Sequence, residues 1–237
     1  IVATPPRFHL PFAFEALEHH SHIFIEKPIS TSLDRIDELI EKANANHLKI
    51  QIGYQLPFDN RLQWIKKELD SGRIGKLLSM QFSFGQSLPD WHPDENYSQG
   101  YTAETGIILE ASHEIHLARW FYPHPIKNIM SQSAKLSDLL ISSEDTANIL
   151  IDYDDVLCSI HLDMIAHGYT RKCQLVGSEA TIDWDYNSPM VLVTSQNKNK
   201  QYVCFEKNDS YLDEMKSFVA CIENDGTPLV SAEQALE

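Results

Sequence analysis

The sequence predicts an α/β protein in two parts. A partial Rossmann domain, a doubly wound parallel sheet, spans residues 1–72, and an α+β domain with a mostly antiparallel open sheet spans residues 73–237. Two observations carry this. At the start of the chain, short strands that are apolar throughout alternate with amphipathic helices, the pattern of a parallel sheet covered on both faces. From Lys76 onward the hydrophobic period changes to two, the mark of strands with one buried face.

Taken in order, "IVATPP" reads as an apolar strand ending in Thr4, Pro5 and Pro6, followed by a helix from about Phe8 to His20. "HIFIEKP" is the second strand. The predicted helix Ser32 to Asn46 follows it, with Leu33, Ile36, Leu39 and Ile40 at the spacing of one face. "KIQIGY" leads into a third helix, Asn60 to Asp70. The period-two segments are "LLSMQFSF", "ANILIDY", "VLCSIHLDMI", "RKCQLVG", "ATIDWDY", "MVLVTS" and "QYVCFEK". One helix, about Thr105 to Phe121, interrupts them, and another, Ser210 to Glu223, follows. No repeat or flexible linker separates the two parts. Both ends read as cut, the first in mid-strand and the last in a helix that has only begun.

Composition narrows the function. Nineteen Lys and Arg against 34 Asp and Glu give a formal charge of −15, which repels a phosphate backbone and argues against nucleic acid. No apolar run approaches the roughly 20 residues of a membrane span. The four cysteines, Cys158, Cys173, Cys204 and Cys221, form no C-x-x-C pair and read as reduced thiols of a cytoplasmic protein.

In an open parallel sheet, ligands sit beyond the carboxyl ends of the strands. Thr4 to Pro6, Glu26 to Pro28, and Tyr54 with Gln55 occupy those ends, so Lys27 lies at the mouth of an expected site, although Glu-Lys-Pro also fits a solvated turn. A second cluster is "GIILEASHEIHLARWF". On one helix Glu110 and His113 would share a face, with His116 three further on. A carboxylate beside a histidine suits a general base, and a satisfied core histidine suits the same pattern. "HEIH" lacks the i, i+4 histidines of H-E-x-x-H, so no metal site is expected. Nor does any G-x-S-x-G elbow or Walker loop occur among the nine glycines. The segment Ser87 to Tyr101 offers Trp91, His92 and Tyr97 for stacking on a sugar, or for packing. Arg171 could meet an acidic substrate group or end a strand in solvent.

"IVATPPRFH", "HIFIEKPIS", "IGYQLPFDNRLQWIKKELDSGRIGKL" and "GIILEASHEIHLARWF" together resemble, in order and approximate spacing over essentially the whole chain, the Gfo/Idh/MocA oxidoreductases, named for glucose-fructose oxidoreductase and inositol dehydrogenase. The resemblance implies a dehydrogenase using NAD or NADP, a sugar-type substrate, and a homodimer or homotetramer covering the open sheet. By position, Lys27 looks like the family lysine at the reacting hydroxyl and His113 like its acid/base histidine, with Glu110 beside it. Thr4, Pro5, Pro6 and His9 match the segment near the cofactor, and Glu26, Lys27, Pro28 and Gln55 border the nicotinamide. Tyr54, His116 and Arg171 join the aromatic loop as substrate candidates.

Some residues depart from the family pattern. Leu109 stands where many members have an aspartate, His116 stands where an aspartate is usual, and Pro57 replaces an expected arginine. The glycine-rich G-x-G-x-x-G turn is expected upstream of Ile1, within roughly 60 to 80 further residues. The aromatic loop, with "SIHLDMI" and "LVGSEATIDWDY", resembles a branch associated with bacterial surface-sugar pathways. The alternative is a non-catalytic sugar-binding or assembly subunit that lacks the cofactor loop.

Overall fold

The computed structural model describes residues 1–91, 93 and 102–236, with 102–104 as backbone alone. Helix α1 is His9–Glu18, strand β1 Ile23–Glu26, α2 Ile36–Ala45, β2 Ile50–Gly53, α3 Asn60–Asp70 and β3 Leu77–Gly85. Helices α4 (Leu88–Trp91), α5 (Thr102–Glu110) and α6 (Ser112–Phe121) precede β4 (Asn128–Ala134). Strands β5 (Thr146–Asp152), β6 (Leu157–Asp163), β7 (Thr170–Gly177), β8 (Ala180–Asp185), β9 (Met190–Ser195) and β10 (Lys200–Cys204) follow, then α7 (Ser210–Glu223) and α8 (Ala232–Leu236). The chain divides into two compact units, residues 1–58 with 209–237, and residues 59–208. The expected boundary at 72/73 is therefore displaced: α3 belongs with the second unit, and the C-terminal helices return to the first.

In the first unit β1 and β2 pair in parallel, Ile23 with Ile50 through Glu26 with Gly53. The segment expected as a first strand contributes an isolated parallel bridge, Val2 to Ile25, and Ser231 bridges Gln51 from the other side. Period two splits the sheet into two faces. Ile23, Ile25, Ile50 and Ile52 bury against Ala13, Phe14 and Leu17 of α1 and Ile36, Leu39 and Ala43 of α2. The opposite face meets α7, where Phe24 lies 6.0 Å from Phe218 and the Gln51 amide donates to the Glu214 carbonyl at 3.5 Å. Helix α2 starts four residues later than the sequence predicts. Arg35 adopts the left-handed conformation (φ 64°) with its guanidinium on Glu38 and over the Phe14 ring, and Leu33 is left exposed.

The second unit is an eight-stranded sheet in the order β10-β9-β8-β7-β3-β6-β5-β4, antiparallel except for β3 against β6. Its buried face, including Met80, Phe82, Phe84, Ile160, Leu162, Cys173 and Leu175, lies under α6, where Phe121 stacks on Phe82 at 6.3 Å. β4 was not anticipated: "NIMSQSA" is polar and almost wholly exposed, and it is the strand at one edge of the sheet.

Candidate functional site

The carboxyl ends of β1 and β2 place the first group of candidate residues. Lys27 follows β1 directly, and the Lys27–Pro28 peptide is cis. His9, buried at the start of α1, ties two strand ends together: its Nδ1 is 2.8 Å from the Pro28 carbonyl oxygen and its Nε2 is 2.7 Å from that of Thr4. Both ring nitrogens are thus engaged with the main chain, and His9 acts on this region through the backbone. Thr4 Oγ1 and Gln55 Oε1 are buried without a hydrogen-bond partner among the described residues. Two orphaned polar atoms at strand ends suit a bound polar cofactor, because a buried group left unsatisfied is otherwise costly. Gln55 also donates from Nε2 to the Tyr211 hydroxyl at 3.4 Å. Tyr54, expected to meet substrate, is buried in the hydrophobic core of this unit.

Glu26 lies over Gly53, where a side chain would not fit: a Cβ at Gly53 would come within 3.0 Å of Glu26 Oε2. Burial raises the Glu26 carboxyl above its ordinary range, and the charges of Lys27 and His9 together with the Lys27 backbone N–H oppose that shift.

In the second unit, Glu110 and His113 do not share one helix. Gly106 (φ 65°, ψ 176°) breaks α5, and Ala111 (φ −100°, ψ 30°) separates α5 from α6. Gly106 passes so close to Glu144 that an added Cβ would fall 2.3 Å from Glu144 Oε1, and the Ile107 and Ile108 amides donate to Glu144. The continuous helix Thr105 to Phe121 is therefore corrected to two pieces. Glu110 closes the first, buried, and its Oε1 accepts from the Thr105 hydroxyl at 2.6 Å. His113 sits buried in the first turn of the second. His116 is pushed down to about 4 by burial, so its imidazole is neutral at physiological pH.

Arg171 is not at a solvated strand end. It is 7% exposed, its Nε is 2.7 Å from Glu114 Oε1, and its guanidinium covers the Phe84 ring at 4.6 Å. Burial alone would lower this guanidinium, but the Glu114 charge and hydrogen bond, together with Tyr169 and Tyr186, more than offset it. Arg171 thus pins α6 to β7. Trp91 meets Phe84 edge-on at 5.8 Å, while His92 and Tyr97 lie outside the described residues. Among the described residues, no group of three or more His, Cys, Asp or Glu is arranged to hold a metal, and no helix is long and apolar enough to cross a membrane.

Residues 1–54 match the family model described as an oxidoreductase family with an NAD-binding Rossmann fold, and residues 62–183 match the GFO/IDH/MocA C-terminal domain. The chain belongs to the Gfo/Idh/MocA oxidoreductase family. It is 23% identical to a myo-inositol 2-dehydrogenase of Thermotoga maritima over 98% of this chain and 72% of that protein. An inositol 2-dehydrogenase of Burkholderia vietnamiensis is 26% identical over 71% of this chain and 49% of its own length. Among solved structures, an aldose-aldose oxidoreductase from Caulobacter crescentus complexed with glycerol superposes with a TM-score of 0.88 at 16% identity, over 99% of this chain and 72% of that one.

The matches confirm the family resemblance and the two-part α/β architecture read from the sequence. Sequence reasoning missed Glu114 and Glu214. A glutamate at an inward helical position was the available signal for each, but neither gains meaning without its partner on another element.

Proposed function

We propose that this chain is the greater part of an NAD- or NADP-dependent dehydrogenase acting on a hydroxyl of a sugar or cyclitol, with Lys27 and His113 as the reacting side chains. The observation that carries the reading is that Lys27 follows β1 in the part of the chain that matches the NAD-binding Rossmann family, at the carboxyl end of a parallel strand. The inositol 2-dehydrogenases among its relatives support a polyol substrate.

A bound nicotinamide supplies the hydride acceptor. Thr4 and Gln55, with their unsatisfied oxygens, and the backbone of Pro5, Pro6, Glu26 and Pro28 would hold it, the two strand ends being fixed by His9. Lys27, as an ammonium, favours negative charge developing on the substrate oxygen. His113 accepts the hydroxyl proton, which a neutral imidazole can do near physiological pH. Glu110, held by Thr105, contributes a carboxylate next to the start of α6. The open face of the large sheet, where Met130, Leu150, Leu157 and Tyr202 stand exposed, is covered by further copies of the chain.

The test is a nicotinamide fluorescence titration of the full-length protein, followed by turnover of myo-inositol and related polyols. Lys27→Met and His113→Asn should each lower kcat by about 10²–10⁴-fold while leaving NADH binding within a few-fold. No fluorescence response to NADH or NADPH, or variants that turn over at the parental rate, would sink the proposal.

A further inference from the structure

The face of the small sheet that meets α7 is polar where hydrophobic packing is the norm. Glu26 of β1 and Gln51 of β2 project from it, since they share a face with Phe24, and Glu214 projects toward it from α7 between Tyr211 and Phe218. Gln51 is fully buried and Glu214 is 2% exposed. Gln51 Oε1 and Glu214 Oε1 are both buried without a hydrogen-bond partner among the described residues. With Glu214 ionised, both orphans are acceptors, and the Gln51 amide already donates elsewhere, to the Glu214 carbonyl. Neither orphaned oxygen meets a donor among the described residues.

We infer that Glu214 is a carboxylic acid in the folded protein, sharing one proton with Glu26, and that this proton makes Glu214 the positioning residue beneath the Glu26-Lys27-Pro28 turn. Protonation turns one orphaned acceptor into a donor and leaves one negative charge in the layer instead of two. That charge falls to Glu26, which is half-buried and has Lys27 and His9 to favour it. Burial is the main influence pushing Glu214 up to about 8, and the Glu26 charge adds to it. The other titratable groups nearby do not neutralise Glu214. On α7, Asp213 faces Lys216 at 3.5 Å, and Cys221 is a buried thiol also raised by burial. Lys49 is held by Asp225 at 2.8 Å. A cation opposite Glu214 would make a proton unnecessary, and none of these supplies one.

The consequence for Lys27 rests on the function proposed above, but the shared proton does not, so the decisive experiment needs neither cofactor nor substrate. Carboxyl carbons of the full-length protein, labelled at glutamate, are followed by nuclear magnetic resonance from pH 4 to 9. Glu214 should stay protonated through neutrality, and in Glu26→Gln its midpoint should fall by about one pH unit, as for coupled carboxyls. In Glu214→Gln, which like the protonated acid is neutral and keeps a donor at the site, the Glu26 midpoint should stay where it is. A Glu214 resonance titrating in the ordinary range near about 4.3, or one that Glu26→Gln leaves unmoved, overturns the proposal. Should Glu214→Gln fail to fold, the Glu26→Gln titration decides alone. Absence of an NADH response and of turnover in the parent protein, with both midpoints as expected, would count against the assigned function and not against the shared proton.

Discussion

Glu114 and Glu214 are buried almost equally, at 1% and 2% exposure, and their environments are opposite. Glu114 faces Arg171 at 2.7 Å under the ring of Phe84, a charge with its countercharge. Glu214 faces a second carboxyl, Glu26, and a glutamine. A buried acid must be either paired or protonated, because an isolated carboxylate in a low-dielectric interior costs several kcal/mol. The second unit uses pairing and the first uses protonation. The same residue type at the same depth is thus a structural charge in one unit and a titrating group in the other.

The largest effect should come from breaking the pair. Arg171→Met takes the guanidinium away from the buried Glu114 carboxylate, and unfolding by denaturant should show a loss of about 3–5 kcal/mol. The double variant Arg171→Met/Glu114→Met should recover most of that, since replacing a whole buried pair by apolar groups is often close to neutral. A double variant as unstable as the single one would mean that the loss came from packing over Phe84 and not from the stranded charge.

Glu214 should respond to pH. Its carboxyl ordinarily titrates at 4.5 and is pushed up to about 8 in the folded protein, so the folded state binds the proton more tightly than the unfolded one. The stability this confers is complete below about pH 4.5 and is lost as pH rises toward 8. Over that window the group alone should cost up to roughly 1 kcal/mol per pH unit. Glu214→Gln should flatten the slope, measured as the difference between variant and parent unfolding free energies at pH 5 and pH 8. An unchanged difference would place Glu214 with Glu114 as an ordinary ionised acid.

The contrast also marks what the sequence could reveal. Helices α3 and α7 begin and end where amphipathic spacing put them, and the two-part fold followed from the change of period at Lys76. Lys27 was legible because an apolar strand ending in Glu-Lys-Pro is a local pattern. The break at Gly106 was not, because Glu144, far along the chain, takes the Ile107 and Ile108 amide bonds that a continuous helix would have kept. Arg171 alternates inward along its strand, yet nothing in the chain announces that Glu114 waits there. Helix α7 was visible as a helix, but its return to the first unit, opposite Glu26, is a matter of tertiary pairing. Local periodicity fixes what an element is, while the charge state of a buried group depends on which other element it meets.

The smallest predicted effect lies one residue from the largest. Lys172 follows Arg171 on β7, and the strand's alternation sends it to the open face, where it pairs with Asp185 at 3.2 Å with side chains 55% and 35% exposed. Water screens such a pair, and ordering two side chains offsets most of its attraction, so Lys172→Ala should change the unfolding free energy by at most about 1 kcal/mol, less in high salt. Neighbouring cations of nearly the same charge would then differ several-fold in effect for one reason, the side of the sheet they face. If instead Lys172→Ala costs as much as Arg171→Met and the loss grows on dilution of the protein, the open face is desolvated by another copy of the chain, and Lys172 belongs to an interface and not to solvent.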